Sequence, residues 1–109
     1  MRVAVIGSRS LSLDISKFIP AGTTEIITGG AEGIDMSAER YADEHRLSKH
    51  IIRPDYAKHG RAAPLYRNQR IVNLADLIIA FWDGESGGTA FTVKYARQVR
   101  KPLKIYKIK

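Results

Sequence analysis

Residues 3–9 read Val-Ala-Val-Ile-Gly-Ser-Arg, a run of four apolar residues that passes directly into a polar turn containing glycine. The run is rich in β-branched residues, and its apolarity is continuous rather than alternating. Such a pattern is typical of a parallel strand that is covered on both faces. Four further runs share it, at residues 25–28, 50–53, 76–81 and 103–106. The sequence therefore predicts five short strands of a parallel sheet.

Helical patterns separate these strands. Apolar residues recur at helical spacing in four segments, residues 11–19, 34–46, 63–75 and 89–100. Parallel strands joined by right-handed crossover helices form a doubly wound sheet. We therefore expect an α/β fold, a Rossmann-like, five-stranded parallel sheet of strand order 3-2-1-4-5 in a three-layer α/β/α arrangement. Residues 54–63 read as an exposed loop, and no linker divides residues 1–109, which are predicted to form a single domain.

The composition excludes several classes of protein. The chain has 109 residues, 44% of them apolar, and no cysteine, which rules out disulfides, thiolate nucleophiles and iron–sulfur clusters. His45, His50 and His59 do not have the spacing of metal ligands, so we expect no metal site. No apolar run approaches the roughly 20 residues of a membrane span. We therefore expect a cytoplasmic protein.

The net charge of +7 is confined to the C-terminal part of the chain. Residues 1–93 are formally neutral, whereas residues 94–109 carry basic charges alone. These are Lys94, Arg97, Arg100, Lys101, Lys104, Lys107 and Lys109. Lys94, Arg97 and Lys101 lie on one face of the predicted helix, where they can follow a nucleic-acid backbone. Lysines also protect the edge of a sheet from aggregation, which is the alternative explanation.

Three strands end in turns that are rich in glycine or serine and that open helices. The turns are Gly7-Ser8-Arg9-Ser10, Gly29 to Asp35, and Asp83 to Thr89. In a doubly wound sheet all three emerge at the carboxyl edge, and two of them flank the point where the strand order reverses. Helix N-termini present unpaired amides, and glycine lets a phosphate approach the backbone. The three turns together predict a phosphate or nucleotide site.

The candidate ligand-binding residues come from these turns and from the helix that precedes the fourth strand. They are Gly7, Ser8, Arg9, Thr28, Gly29, Gly30, Glu32, Gly33, Asp35, Arg67, Asn68, Gly87, Gly88 and Thr89. Arg67 offers a planar, permanently charged fork to a phosphate. Glu32 and Asp35 suit a helix start for electrostatic reasons alone, and Asp35 is also a candidate acceptor for a sugar hydroxyl. Trp82 either stacks on a base or packs in the fold.

Two familiar nucleotide-binding motifs are absent. After the first strand the chain reads Gly7-Ser8-Arg9-Ser10-Leu11-Ser12, which lacks the G-x-G-x-x-G of dinucleotide-binding domains. The second strand ends in Thr28 rather than in the acid that holds a ribose diol. No G-K-[ST] follows any glycine run, so the P-loop is excluded as well. We therefore do not expect a conventional hydride-transfer or nucleoside-triphosphatase domain.

Four motifs together resemble the SLOG superfamily, over nearly the whole chain. They are Val5-Ile6-Gly7-Ser8-Arg9, Thr28-Gly29-Gly30-Ala31-Glu32-Gly33-Ile34-Asp35, Arg67-Asn68 and Gly87-Gly88-Thr89. The superfamily includes the DNA-processing proteins Smf/DprA, the "lonely guy" phosphoribohydrolases and the small YspA/YpsA-related proteins. The resemblance implies a Rossmann-like domain that binds nucleotides, nucleotide-derived signals or nucleic acid in one crevice. Because small relatives commonly self-associate, it also implies a homodimer.

The resemblance bears on catalysis too. The phosphoribohydrolase pattern has a catalytic arginine, which Arg67 resembles in its spacing to Asp76, and a catalytic glutamate shortly after its Gly-Thr. Here Phe91 and Thr92 stand where that glutamate is expected. Cleavage of an N-glycosidic bond needs such a carboxylate to stabilise the transition state and activate water. The acids that remain to replace it are Glu32, Asp35, Asp83 and Glu85.

Three functions follow from the sequence. We favour binding of a nucleotide or nucleotide-derived ligand, as in a sensor of such a signal, with no required cofactor. The second is a phosphoribohydrolase-type cleavage of a nucleoside monophosphate, in which Arg67 would act. The third is a DprA-like module that binds single-stranded nucleic acid.

Overall fold

The computed structural model describes residues 1–108, which form five strands and four α-helices. The strands are β1 (Arg2–Gly7), β2 (Glu25–Thr28), β3 (Ser48–Ile51), β4 (Leu77–Trp82) and β5 (Leu103–Lys107). The helices are α1 (Ile34–Glu44), α2 (Tyr56–His59), α3 (Ala63–Leu74) and α4 (Gly87–Gln98), and 3-10 turns form at Ser16–Phe18 and Gly60–Ala62. None of the helices in this described part of the chain has the length and apolarity needed to cross a membrane.

The sheet is parallel throughout, and its strand order is β3-β2-β1-β4-β5. β1 is the central strand, because Val3 pairs with Ile26 of β2 on one side and with Leu77 of β4 on the other. The strand order reverses at this point, so the carboxyl ends of β1 and β4 lie side by side. The predicted α/β fold and its strand order are confirmed.

Both faces of the sheet are covered by helices. Val5 packs on the face that carries Ile34 of α1. Its neighbour Ala4 packs on the opposite face, with Ile71 of α3 and Val93 of α4. Successive residues of a strand point to opposite faces, so a strand buried on both must be apolar at every position. This explains the continuous apolarity from which the three-layer arrangement was predicted.

Residues 11–19 do not form the helix that their apolar spacing predicts. A single 3-10 turn, Ser16–Phe18, forms in its place. The carboxylate of Asp14 accepts the amide of Ser16 at 2.9 Å and closes a local turn, and Pro20 lacks the amide that would continue a helix. Ile15 and Ile19 are nevertheless buried against the sheet. The spacing therefore identified core residues but not their conformation.

Two smaller differences lie near the edge of the sheet. Residues 54–63, predicted as a loop, contain α2 and the second 3-10 turn. The carboxylate of Asp55 begins α2 by accepting the amide of Lys58 at 3.1 Å. β3 begins earlier than predicted, since an edge strand tolerates the exposed Ser48 and Lys49, which carry no apolar signal.

Gly7 ends β1 at a point where no side chain fits. A Cβ at this position would lie 2.4 Å from the carbonyl oxygen of Phe81 and 2.6 Å from Cγ1 of Ile34. We predict that Gly7→Ala lowers the free energy of unfolding by about 1–3 kcal/mol, the usual cost of overpacking, as measured by urea denaturation. Gly88→Ala is the matched control, because nothing lies within 4 Å of the added Cβ. Equal stability of the two variants would contradict this account of the β1 turn.

Candidate functional site

A crevice opens at the carboxyl edge of the sheet, between the turns that follow β1, β2 and β4 and the first turns of α3. Its volume is about 460 Å³, which lies within the range of small-molecule sites. The predicted site residues that line it are Gly7, Arg9, Gly29, Asp35, Arg67, Asn68, Gly88 and Thr89. The three predicted turns and α3 therefore meet at one cavity.

The remaining predicted site residues do not line the crevice. They are Ser8, Thr28, Gly30, Glu32, Gly33 and Gly87. Ser8 is buried and joins two of the turns: its amide donates to the carbonyl of Phe81, and its hydroxyl accepts the amide of Asp83, both at 3.1 Å. Thr28 is fully buried, and its hydroxyl has no hydrogen-bond partner among residues 1–108. Ser8 thus fixes the spacing between two walls and does not line the cavity itself.

The turn after β2 divides its residues between the crevice and its surroundings. Asp35 takes the inward position, where its carboxylate accepts the amide of Ala31 at 3.1 Å. Glu32 is left exposed outside the crevice. Gly33 has a φ of 75°, and a Cβ there would lie 2.6 Å from the carbonyl oxygen of Ser8, so this glycine lets the two turns pack together. Its contribution is to the shape of the site.

In the turn that precedes α4, the carboxylate of Asp83 binds backbone amides of the same turn. Oδ1 of Asp83 accepts the amides of Glu85 and Ser86, both at 2.8 Å. These hydrogen bonds lower the pKa of Asp83 to about 2, so its carboxylate is charged at neutral pH. Two amides that were predicted to attract an anion are therefore already occupied. The amides of Gly87 and Gly88, at the first positions of α4, have no partner within the described part of the chain.

Arg67 reaches from α3 to the turn after β2. Its Nη1 donates to the carbonyl of Gly29 at 2.8 Å, and its Nε donates to Oδ1 of Asn68 at 2.7 Å. Nη2 makes no hydrogen bond to any residue that the structure describes. Burial lowers the pKa of Arg67, and the nearby charge of Asp35 opposes this shift. Asn68 therefore orients the guanidinium, and Nη2 is left without a partner among the described residues.

Asp35 is a buried carboxyl group on the floor of the crevice, with 8% of its surface exposed. Burial raises its pKa, and the Ala31 amide and the Arg67 charge only partly offset the cost of desolvation. Buried acids with raised pKa values are common in functional sites, where they accept hydroxyl groups or exchange protons. Of the four acids available to replace the missing glutamate, Asp35 and Asp83 line the crevice, whereas Glu32 and Glu85 do not.

Several lining residues were not among the predicted site residues. Ser10 and Ser86 add hydroxyl groups, and Pro64 and Leu65 add an apolar wall at the start of α3. The position of Ser86 could have been predicted from the sequence, because a serine before a helix commonly caps it. In the structure its Oγ accepts the amide of Thr89 at 3.5 Å. The apolar wall could not be predicted as part of a site, because Leu65 fits the apolar periodicity of any amphipathic helix.

Trp82 does not line the crevice. Its indole Nε1 donates to the carbonyl of Ser86 at 3.1 Å, and its ring borders a separate groove beside Lys94 and Arg97 of α4. The side chains of β4 alternate between the faces of the sheet, which carries this residue to the α4 side. Among residues 1–108, no group of three or more His, Asp and Glu side chains is arranged to hold a metal ion.

Comparison with known proteins supports the fold. No family model matches the chain, and no curated protein matches it. Among solved structures it is similar to a chain of DNA processing protein A from Helicobacter pylori, with 21% identity and a TM-score of 0.72. The alignment covers 100% of this chain and 66% of that one, and the neighbour is described for its single-stranded DNA binding mode. The chain therefore has a DprA-like, Rossmann-type fold and spans 66% of the neighbour's length.

The two carboxylates of the crevice predict opposite effects of pH on stability. Because burial raises the pKa of Asp35 above 3.8, Asp35→Asn should be more stable than the wild type at neutral pH, and this advantage should shrink as the pH falls through the raised pKa towards 3.8. Because the pKa of Asp83 is lowered to about 2, Asp83→Asn should be less stable at neutral pH, and its loss should fade as the pH falls from 3.8 through 2. Urea denaturation across this pH range measures both effects. Effects of the same sign would contradict the assigned environments.

Proposed function

We propose that the crevice binds a nucleotide, or a ligand derived from one, through its phosphate group. The main support is that Arg9, Arg67 and the start of α4 line the same cavity. This cavity lies where the strand order reverses, and ligands of doubly wound sheets bind at that point. A permanently bound cofactor is not part of the proposal.

The start of α4 supports a phosphate position. The amide of Gly88, which lines the crevice, is unpaired within the described residues, and the aligned dipoles of the helix give this end a partial positive charge. A Cβ at Gly88 would meet no atom within 4 Å, so the backbone there is open to an oxygen atom. The free Nη2 of Arg67 supplies a charged donor to the same cavity.

The rest of the crevice suits a sugar and a base. Asp35 and Asp83 are acceptors for hydroxyl groups, and Asp83 repels a phosphate because it is ionised at neutral pH. Pro64, Leu65 and Ile71 provide apolar surface. Donors for a phosphate, acceptors for hydroxyl groups and an apolar wall are the three features that a nucleotide requires together.

The proposal is binding without cleavage of the ligand. Thr92 lies at one of the two positions where the phosphoribohydrolase pattern expects a glutamate, and its hydroxyl donates to the carbonyl of Gly88 at 2.8 Å. A hydroxyl bound within its own helix does not activate water as a carboxylate does. We therefore expect no release of base when the protein is incubated with nucleoside monophosphates.

A second candidate is the binding of single-stranded nucleic acid. It is favoured by the likeness to DNA processing protein A and by the exposed Lys94 and Arg97 on α4. Lys101, expected on the same face, instead donates to the carbonyl of Ala75 at 2.6 Å, so its ammonium is committed to the fold. Lys109 lies outside the described residues. We favour the small ligand because the crevice supplies donors, acceptors and apolar surface together.

We predict that Gly88→Asp weakens the binding of AMP more than about 10-fold, because the new carboxylate faces the phosphate and occupies the amides. Isothermal titration calorimetry of the wild type and the variant measures the affinity. Gly88→Asn is the matched control, since it adds nearly the same volume without charge and should lose less affinity. Thermal unfolding checks that both variants fold.

Two results would contradict the proposal. One is the absence of saturable binding of nucleoside monophosphates and ADP-ribose by the wild type. The other is a Gly88→Asp variant that binds as well as the wild type. If single-stranded DNA binds, and the affinity falls in a Lys94→Ala and Arg97→Ala double variant but not in Gly88→Asp, the second candidate is supported instead. Release of base from the ligand would support the hydrolase.

A further inference from the structure

A second cavity adjoins the crevice on the side of β3. It has a volume of about 320 Å³, and we call it the arginine groove because Arg9, Arg53 and Arg67 line it together with Tyr56. It shares Arg9 and Arg67 with the crevice, so the two cavities meet at these side chains. No carboxylate is among the residues that line it.

Two of the three guanidinium groups lie against the backbone of the turn after β2. A Cβ at Gly29 would lie 2.5 Å from Nη1 of Arg67, and a Cβ at Gly30 would lie 2.8 Å from Nη1 of Arg53. Neither arginine could hold this position over a residue with a side chain. The Gly29-Gly30 pair, which the sequence suggested as a cradle for phosphate, instead brings two cations together.

No direct ion pair within the described residues neutralises the arginines of the groove. None of the three arginines is within 4 Å of a carboxylate oxygen in the described residues, where the ion pair that forms joins Lys49 to Asp43. Burial lowers the pKa of Arg67, the nearby charge of Asp35 opposes this shift, and the neighbouring charge of Arg9 adds to it. Guanidinium groups that converge without counter-ions are typical of sites that bind phosphate.

The start of α4 and Arg53 line different cavities, and Arg9 and Arg67 line both of these cavities. Gly88 lines the crevice but not the groove, whereas Arg53 lines the groove but not the crevice. A single phosphate bound at Gly88 therefore leaves Arg53 without a partner. A ligand with two anionic groups can place one of them at Gly88 and the other at Arg53.

We propose that Arg53 and Arg9 form a second anion subsite, and that the ligand is a nucleotide carrying two phosphate groups. This inference rests on the proposed function, because the first phosphate is the one bound at α4. The exposed ring of Tyr56 borders the subsite and offers a surface on which a further planar group can stack. Two classes of nucleotide carry two phosphate groups. In a diphosphate the phosphates are adjacent, and in a bisphosphate one phosphate lies on each side of the sugar.

Calorimetry with AMP, ADP and adenosine 3′,5′-bisphosphate tests the inference and separates these chemistries. The wild type should bind at least one of the two-phosphate ligands about 10- to 100-fold more tightly than AMP, the gain expected from charged hydrogen bonds. Arg53→Ala should remove this gain and leave the affinity for AMP unchanged. Arg61→Ala is the matched control, because Arg61 is an exposed arginine of the same connection that lines neither cavity.

The outcomes separate this inference from the proposed function. If the wild type binds all three ligands equally, or if Arg53→Ala weakens AMP as much as the two-phosphate ligands, the second subsite is overturned while the nucleotide site remains. If the wild type binds none of them, the proposed function fails. Arg53→Lys provides a further check, since it keeps the charge without the fork and should retain part of the gain.

Discussion

The hydrogen bond from Nη1 of Arg67 to the carbonyl of Gly29, at 2.8 Å, joins α3 to the turn after β2. This hydrogen bond links two elements that are far apart in sequence. Asn68, the next residue along α3, accepts Nε of Arg67 and so orients the guanidinium. Ser8 joins the opposite wall, because its amide donates to the carbonyl of Phe81 and its hydroxyl accepts the amide of Asp83. These contacts add to the strand pairing of β1 with β2 and β4 in holding the turns of the crevice at their observed separation.

The charges of the site are divided rather than uniformly positive. The sequence predicted three clusters of bare amides, but Asp35 binds the amide of Ala31 and Asp83 binds two amides before α4. A local carboxylate competes for a turn amide more effectively than a ligand can, since it is tethered beside it. What remains open to an anion is the start of α4 and the arginines. In the proposed function the acids serve as acceptors, and the ligand carries both phosphate and hydroxyl groups.

The sheet could be predicted because continuous apolar runs require burial on both faces, and the position of the crevice followed from the rule of strand-order reversal. Local competition was harder to predict. The carboxylate of Asp14 stabilises a 3-10 turn where the spacing predicted a helix. The first residues of β3 lack apolar character because β3 is an edge strand, so its start could not be predicted. The sequence did not indicate Arg53, because its guanidinium lies beside Gly30 only once the chain has folded. The homodimer implied by the family resemblance stays a prediction.

In the proposed function, a phosphate binds between the start of α4 and Arg67. An NMR titration with AMP that follows the backbone amides and arginine side chains tests it directly. We expect the resonances of Gly88 and of the Arg67 guanidinium to shift together along one saturating curve. Resonances that stay fixed at these groups while those of Lys94 and Arg97 move would contradict it.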